Sequence, residues 1–191
     1  MTAAPIVLPD SGDLSPYVQR VLPRSSGLFW DGRWQEGAGQ AIATFNPSTG
    51  ERLADVTSAG SAEVDASVAS AKAAFPAWAE SPPLQRAALL REAARRVRLH
   101  SRELALLDAA NCGNPVRAMQ MDAEIAATQL DYFAGLVLEI KGETIPTANG
   151  ALNYTLREPL GPVARIFPFN HPFMFAAGKI AAPLAAGNTV I

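Results

Sequence analysis

The chain has 191 residues, of which 49% are apolar, so it is long enough to bury the core of one globular domain. Its formal net charge of -2 gives no electrostatic basis for binding nucleic acid or an anionic membrane. The single cysteine excludes an internal disulfide framework and favours a reducing compartment, so we predict a cytoplasmic protein.

The first quarter of the chain predicts an arm followed by short strands. Residues 1–26 are rich in Pro, Ser and Asp, which indicates a loosely held arm with a helical turn near residues 17–21. A hairpin is predicted over residues 28–34, because the Asp-Gly pair at its centre suits a two-residue type I′ turn. Two further strands are predicted at residues 41–45 and 52–57.

From Ser61 the spacing of apolar residues becomes helical. Ser61 is predicted to cap the first helix, and Pro76 to interrupt it. A second helix is predicted from residue 82, a third from residue 101 that ends at Gly113, and a long fourth one from residue 115.

The second predicted helix has a basic face, made of Arg86, Arg91, Arg95, Arg96 and Arg98. Such a face is found in helices that bind nucleic acid or calmodulin, but Glu92, Glu103 and the acidic total favour a solvated, salt-bridged surface. The most apolar window, residues 167–187, contains three prolines and a lysine, which is typical of a buried α/β unit and not of a membrane span.

Neither the cysteine nor the histidines predict a reactive or metal site. Cys112 has no His, Asp or Lys in its local motif, and its Asn-Cys-Gly-Asn-Pro context is typical of a helix end. His100 and His171 are far apart in sequence and have no neighbouring carboxylate or thiol cluster, so no metal site is predicted.

Residues 141–157 alternate in polarity around Asn149-Gly150, which predicts an extended β-hairpin. A two-stranded ribbon is marginally stable by itself, so we expect a partner to cover it.

The last 30 residues predict a strand, a tight turn, a helix and the start of a second strand. A strand over residues 163–167 leads into a proline corner, which we define as residues 168–172. A helix follows from Pro172, with His171 as its N-cap, and continues to Ala186, where Gly187 ends it in a left-handed conformation. This order predicts a parallel crossover.

Asn170 lies in the proline corner, at the carboxyl end of the predicted strand, where α/β sheets bind their ligands. Its carboxamide could donate a hydrogen bond to a developing oxyanion. The alternative is a turn residue whose side chain bonds its own backbone.

The residues of this segment resemble the signature of the aldehyde dehydrogenase superfamily. In that family a strand leads into a Pro-Trp-Asn-Phe-Pro corner, then a helix with a lysine, then Ala-Pro-Ala-Leu-Ala-Ala-Gly-Asn-Thr-Val. This chain has Pro-Phe-Asn-His-Pro at 168–172, Lys179, and a close match at 182–190. Asn-Pro-x-Thr-Gly-Glu at 46–51 also matches, while Phe169 and His171 depart from the usual Trp and apolar residue.

The resemblance implies an α/β fold, the amino-terminal part of the aldehyde dehydrogenase fold, with a Rossmann-like parallel sheet and helices and a β-hairpin oligomerisation arm. It divides the chain into the arm at 1–26, hairpins and helices of the cofactor-binding domain at 27–140, the oligomerisation hairpin at 141–159, and the truncated first dinucleotide-binding unit at 160–191. Homo-oligomer contacts would use residues 142–159.

The resemblance also implies site residues and a cofactor. NAD or NADP would be bound along Ile166, Phe167, Pro168, Phe169 and Asn170. Asn170 would be catalytic in the oxyanion hole, and Lys179 would support the site, with a salt-bridged helix lysine as the alternative. The substrate would be a small-molecule aldehyde, and Cys112 aligns with a non-catalytic position.

The predicted strand at residues 189–191 should continue into a buried parallel sheet, so we expect the chain to cover less than half of a larger enzyme. The remainder of the enzyme would supply the nucleophilic cysteine and the glutamate base. The alternatives are a non-catalytic assembly module that docks through its hairpin, or an acylating enzyme that passes the thioester to coenzyme A or phosphate.

Overall fold

A computed structural model describes residues 4–9 and 12–191. The helices are α1 Ser15–Val21, α2 Ser61–Ala79, α3 Pro83–Leu99, α4 Ser101–Cys112, α5 Val116–Gly135, α6 Pro172–Gly178 and α7 Ala181–Ala185. The strands are β1 Leu28–Trp30, β2 Arg33–Gln35, β3 Ala41–Phe45, β4 Arg52–Thr57, β5 Thr144–Ile145, β6 Asn153–Tyr154, β7 Pro162–Val163 and β8 Thr189–Val190. None of the helices in the described ranges is both long and apolar enough to cross a membrane.

The core of the molecule is a layer of helices centred on α5, which packs against α3, α4 and α6. Small side chains let these helices approach closely, and Leu90 and Leu130 fill the space between α3 and α5. The buried cluster consists of Ala87, Leu90, Ala94, Ala127, Leu130, Ala134, Val137, Ala181 and Ala185. The described part of the amino-terminal arm packs on α4 in a second cluster, where Leu8 and Val18 are buried against Leu106.

The antiparallel hairpins form where the turn residues predict them. β1 and β2 pair antiparallel through a turn in which Asp31 and Gly32 have φ of 55° and 70°, which confirms the predicted type I′ geometry. β3 and β4 pair antiparallel as predicted. β5 and β6 also form an antiparallel pair, with Asn149 and Gly150 in the left-handed region.

Two predictions about α2 are wrong. Gly60 and not Ser61 is the N-cap, and the Glu63 carboxylate accepts hydrogen bonds from the backbone N–H groups of Gly60 at 2.9 Å and Ala38 at 2.7 Å. The helix also continues through Pro76. Contacts on both sides of the proline hold the helix, because Ala71 O accepts from Thr189 Oγ1 at 3.0 Å and Trp78 Nε1 donates to Leu184 O at 3.2 Å.

Only part of the predicted basic face of α3 is exposed to solvent. Arg95 and Arg96 bond Glu92, whose pKa these hydrogen bonds lower to about 2, and Arg98 bonds Glu124 and Asp131 in a further ion-pair network. These contacts confirm the salt-bridged interpretation. Arg86, predicted on the same basic face, is instead buried, and burial lowers the pKa of its guanidinium. Its Nε donates to Ala185 O at 3.1 Å, so it caps the carboxyl end of α7.

The parallel crossover is confirmed. β7 and β8 pair in parallel, with Pro162 opposite Thr189 and Val163 opposite Val190. The pairing continues past the strands, since Arg165 N donates to Ile191 O at 2.7 Å. The first strand is nevertheless shorter than predicted, because residues 166–170 leave the sheet.

The predicted single helix over residues 172–186 is two helices, α6 and α7, which are separated at Lys179 and Ile180. Pro183 explains the break: it has no N–H to donate to Lys179 O, and its ring would clash with that carbonyl in a continuous helix. Gly187 has φ of 89°, as predicted for the residue that ends the segment.

A buried carboxamide locks the start of both parallel strands. Asn188 is 6% exposed, and its Oδ1 accepts from Leu160 N at 2.6 Å and Gly161 N at 3.1 Å. Its Nδ2 donates to Pro183 O at 3.2 Å. Asn188 thereby joins the entry to β7, the last turn of α7 and the beginning of β8.

Candidate active site

The candidate site is the segment that follows β7. Residues 166–170 lie just beyond the carboxyl ends of the two parallel strands, where open α/β sheets bind ligands. Ile166 is 90% exposed and Phe169 is 88% exposed, and Phe167 and Pro168 are exposed as well. The segment therefore presents apolar surface at this edge of the sheet.

Asn170 is exposed at the end of this segment. Its backbone carbonyl accepts a hydrogen bond from Asn114 Nδ2 at 2.8 Å. Within the ranges that the structure describes, its own carboxamide has no hydrogen-bond partner, so it does not bond the main chain as a turn asparagine would. The backbone carbonyl of Asn170 is therefore held, while its side-chain carboxamide is free to bind a ligand.

His171 has the N-cap position of α6, as predicted, but its ring does not cap the helix. The capping hydrogen bond comes from α4, where Asp108 Oδ2 accepts from Phe173 N at 3.0 Å. The imidazole Nδ1 of His171 instead lies 2.6 Å from Asp122 Oδ2 on α5. The ring also stands edge-on to Phe175, with centroids 6.4 Å apart.

Two buried carboxyl groups therefore lie beneath the proline corner. Burial raises the pKa of Asp108, and the nearby Asp122 raises it further. The hydrogen bond from Phe173 N and the proximity of His171 act in the opposite direction. The net shift is upward, so desolvation has the largest effect on this carboxyl group.

Lys179 lies at the far end of α6 from Asn170, and about 10 Å of helix separates them, at 1.5 Å per residue. It is exposed, and it forms no ion pair with any residue in the described ranges. The predicted salt-bridged alternative is therefore not seen there, while its supporting role stays a prediction.

The remaining candidates behave as structural residues. Cys112 ends α4, ahead of Gly113 with φ of 82°, and its Sγ lies 3.8 Å from Met119 Sδ. Across residues 4–9 and 12–191 there is no group of three His, Cys, Asp or Glu side chains that could hold a metal ion. A groove of about 610 Å³ is lined by α2, the β1–β2 turn and β8, and Asn170 is not among its lining residues.

Sequence reasoning missed Asp108, Asn114 and Asp122. A signal was present for Asp122, because it falls at helical spacing between Met119 and Ala126 on the buried face of α5. A carboxylate on such a face needs a partner. Nothing in the sequence indicated which partner it would be.

The comparisons define the class of protein. The model of the aldehyde dehydrogenase family matches residues 34–191, so the chain belongs to this family. An aldehyde dehydrogenase, tropH, from Talaromyces stipitatus is 44% identical over 180 residues, which are 92% of this chain and 35% of that protein. The 4-trimethylaminobutyraldehyde dehydrogenase of Homo sapiens is 38% identical over 147 residues, which are 77% of this chain and 30% of that protein.

Solved structures agree in fold. PnpE in complex with nicotinamide adenine dinucleotide superposes with a TM-score of 0.83 at 40% identity, over 86% of this chain and 34% of that one. HpcC from Thermus thermophilus superposes with a TM-score of 0.87 at 30% identity, over 92% of this chain and 35% of that one. The structure is thus an incomplete aldehyde dehydrogenase fold of the α/β class. The chain spans about a third of the length of the relatives it matches.

Proposed function

We propose that this chain supplies the oxyanion-binding amide and one wall of the cofactor site in an enzyme that oxidises an aldehyde to a carboxylic acid with NAD or NADP. The observation that carries the proposal is the placement of Asn170: an exposed carboxamide, unbonded within the described residues, in the segment that follows the parallel strand β7. A carboxamide N–H at such a position can donate a hydrogen bond to a substrate oxygen on which negative charge develops.

The amide acts when a thiolate adds to the aldehyde carbon. The carbonyl oxygen then becomes an oxyanion, and Asn170 Nδ2–H donates a hydrogen bond to it, which stabilises the thiohemiacetal and the transition state that leads to it. Lys179 is proposed to support the site from the end of α6.

The exposed apolar segment beyond β7 supports the cofactor part of the proposal. Exposed apolar side chains at 166, 167 and 169 offer a face for the nicotinamide end, at the position where α/β sheets bind nucleotides. When bound, NAD or NADP would supply the hydride acceptor for oxidation of the aldehyde carbon to the level of the acid. In this proposal the exposed apolar side chains contact one face of the nicotinamide ring, and Asn170 lies beside the ring.

The nucleophilic thiol is proposed to come from the remainder of the enzyme and not from Cys112. The Cys112 thiol packs on Met119, and no basic side chain forms a hydrogen bond with it in the described part of the chain. The general base is assigned to the remainder of the enzyme as well, and we propose that these 191 residues alone are inactive.

An acylating enzyme would use the same amide, since both reactions pass through the same oxyanion. A cytoplasmic location stays a prediction from the single cysteine.

The hairpin supports a second element of the proposal, a homo-oligomer contact through residues 142–159. Its apolar side chains are exposed: Leu152 is 75% and Leu156 is 70% exposed, and Ile145 and Tyr154 are exposed as well. A ribbon of this kind is marginal alone, so a second subunit is proposed to cover it. Replacing both leucines with Asp is expected to dissociate the oligomer in light scattering, and an unchanged mass would contradict this contact.

The activity is tested with Asn170→Ala in the enzyme that contains this chain, by following reduced nicotinamide formation with a panel of aldehydes. Loss of one oxyanion donor is expected to lower kcat by about 10²–10³-fold, with the KM for the cofactor little changed. Asn111→Ala, which removes an exposed carboxamide from α4, is the matched control and should keep full activity. A kcat for Asn170→Ala equal to that of the control would refute the assignment.

A further inference from the structure

Three side chains from α4, α5 and the loop between them hold the end of the proline corner and the start of α6. Asn114 Nδ2 donates to the carbonyl of residue 170 at 2.8 Å, Asp122 Oδ2 lies 2.6 Å from Nδ1 of residue 171, and Asp108 Oδ2 accepts from the amide of residue 173 at 3.0 Å. Each contact joins residues that are at least 49 positions apart in sequence. The corner is therefore fixed from outside, by the helical layer.

Of these three side chains, Asp122 is the one whose carboxyl group lies on the buried apolar face of α5. It is 6% exposed and stands on the face of α5 that also buries Met119, Ala123 and Ala126. A carboxyl group on such a face destabilises the fold unless it is hydrogen-bonded. His171 provides that hydrogen bond, and the imidazole itself is only partly buried.

The two contacts act on opposite sides of one peptide unit. Asn114 holds the carbonyl of Asn170, and Asp122 holds the ring of the next residue, His171. A peptide unit restrained at both ends cannot rotate freely about its flanking φ and ψ angles. These contacts restrain the backbone on the carboxyl side of Asn170, the residue that carries the carboxamide.

We propose that Asp122 is a positioning residue that acts through His171 to aim the Asn170 amide. The inference rests on the proposed function of Asn170 as the oxyanion donor. His171 transmits the restraint because it is the next residue in the chain after Asn170. Its imidazole ring is held by the contact with Asp122 and by the edge-on contact with Phe175. Asp122 has no contact with a reacting atom in this assignment.

Kinetics on the enzyme that contains this chain separate this role from a general packing role. Asp122→Ala is expected to lower kcat by about 10–100-fold, because small misplacements of a catalytic group have effects of that size, and to leave the KM for the cofactor within about twofold. Asp122→Asn keeps an oxygen that accepts from Nδ1 and should restore most of kcat. If Asp122→Asn is as slow as Asp122→Ala, the charge and not the hydrogen bond matters, and the positioning role is refuted.

A double-mutant cycle with Asn170→Ala is the decisive measurement. If Asp122 acts only by aiming that amide, adding Asp122→Ala to Asn170→Ala should change kcat by less than about twofold. A full additional loss in that background overturns the inference while leaving the role of Asn170 intact. If Asn170→Ala has no effect on kcat, the proposed function fails instead, and the inference falls with it.

Hydrogen exchange of the chain measures the restraint without catalysis. Asp122→Ala is expected to speed amide exchange at Phe173, whose N–H donates to Asp108 Oδ2, and at Phe175, whose N–H donates to His171 O, by about tenfold or more, while α3 keeps its protection. Asp131→Ala is the matched control, a carboxylate on the same helix that instead bonds Arg98 Nη1 at 2.6 Å. Equal exchange of the Phe173 and Phe175 amides in the two variants would refute the positioning role.

Discussion

Replacing Asn188 with Ala should destabilise the protein by about 2–4 kcal/mol, and the estimate follows from its three hydrogen bonds. The substitution removes the acceptor for Gly161 N, a buried donor that would be left unpaired, at about 1–3 kcal/mol. Leu160 is 94% exposed, so its N–H can turn to water and loses less. Pro183 O keeps a hydrogen bond from the backbone N–H of residue 188 at 2.9 Å, so it remains satisfied.

The assay is equilibrium unfolding in urea, with the midpoint and the slope fitted separately. A free energy loss of this size corresponds to a fall in Tm of roughly 4–16 °C for a chain of this length. The slope should be unchanged, because the surface exposed on unfolding is the same. Asn111→Ala, at an exposed position, should shift the midpoint little. A loss below about 0.5 kcal/mol for Asn188→Ala would show that the carboxamide does not hold the strands, and would refute the reasoning.

Three further predictions concern other positions. Gly187→Ala should lower the free energy of unfolding by about 1–2 kcal/mol in urea titrations, because φ of 89° is strained for alanine although no atom lies closer than 3.5 Å to the added Cβ. Arg86→Ala should destabilise by about 1.5–3 kcal/mol by the same assay, since it leaves the Ala185 carbonyl without its charged donor; a value near zero would contradict the capping role. Stability should fall as pH rises from 3.8, the ordinary aspartate value, to the raised folded pKa of Asp108, because the folded state then holds more protons than the unfolded state. Asp108→Asn should abolish that part of the fall in Tm, and an unchanged pH profile would show that Asp108 is not its source.

Local features of the backbone could be predicted because a few residue types impose them. The Asp31-Gly32 turn, and the left-handed residues at 113 and 187, follow from the backbone preferences of Gly and Asp alone. The sequence also contained the cause of the break between α6 and α7, which is Pro183, but the break was not predicted. Pro76 has the opposite outcome, since tertiary contacts keep α2 continuous across it.

The candidate site could be predicted only in part. The sequence indicated the proline corner and Asn170, because the two prolines and the strand before them are adjacent in the chain. The groups that hold the corner come from α4, α5 and the loop between them, and their distance in sequence hides them. Arg86 shows the same limitation, since helical spacing placed it on a basic face while packing against α7 buried it.

The sequence by itself determined the early hairpins, the helices α2 to α5 and the parallel crossover, because each depends on dihedral preferences and apolar spacing within a short window. Only the tertiary structure decided that Asp122 meets His171 and that Asp108 caps α6. A buried polar group must find a hydrogen-bond partner, but which partner it finds depends on which helices pack together. That choice belongs to the whole fold and not to any one segment.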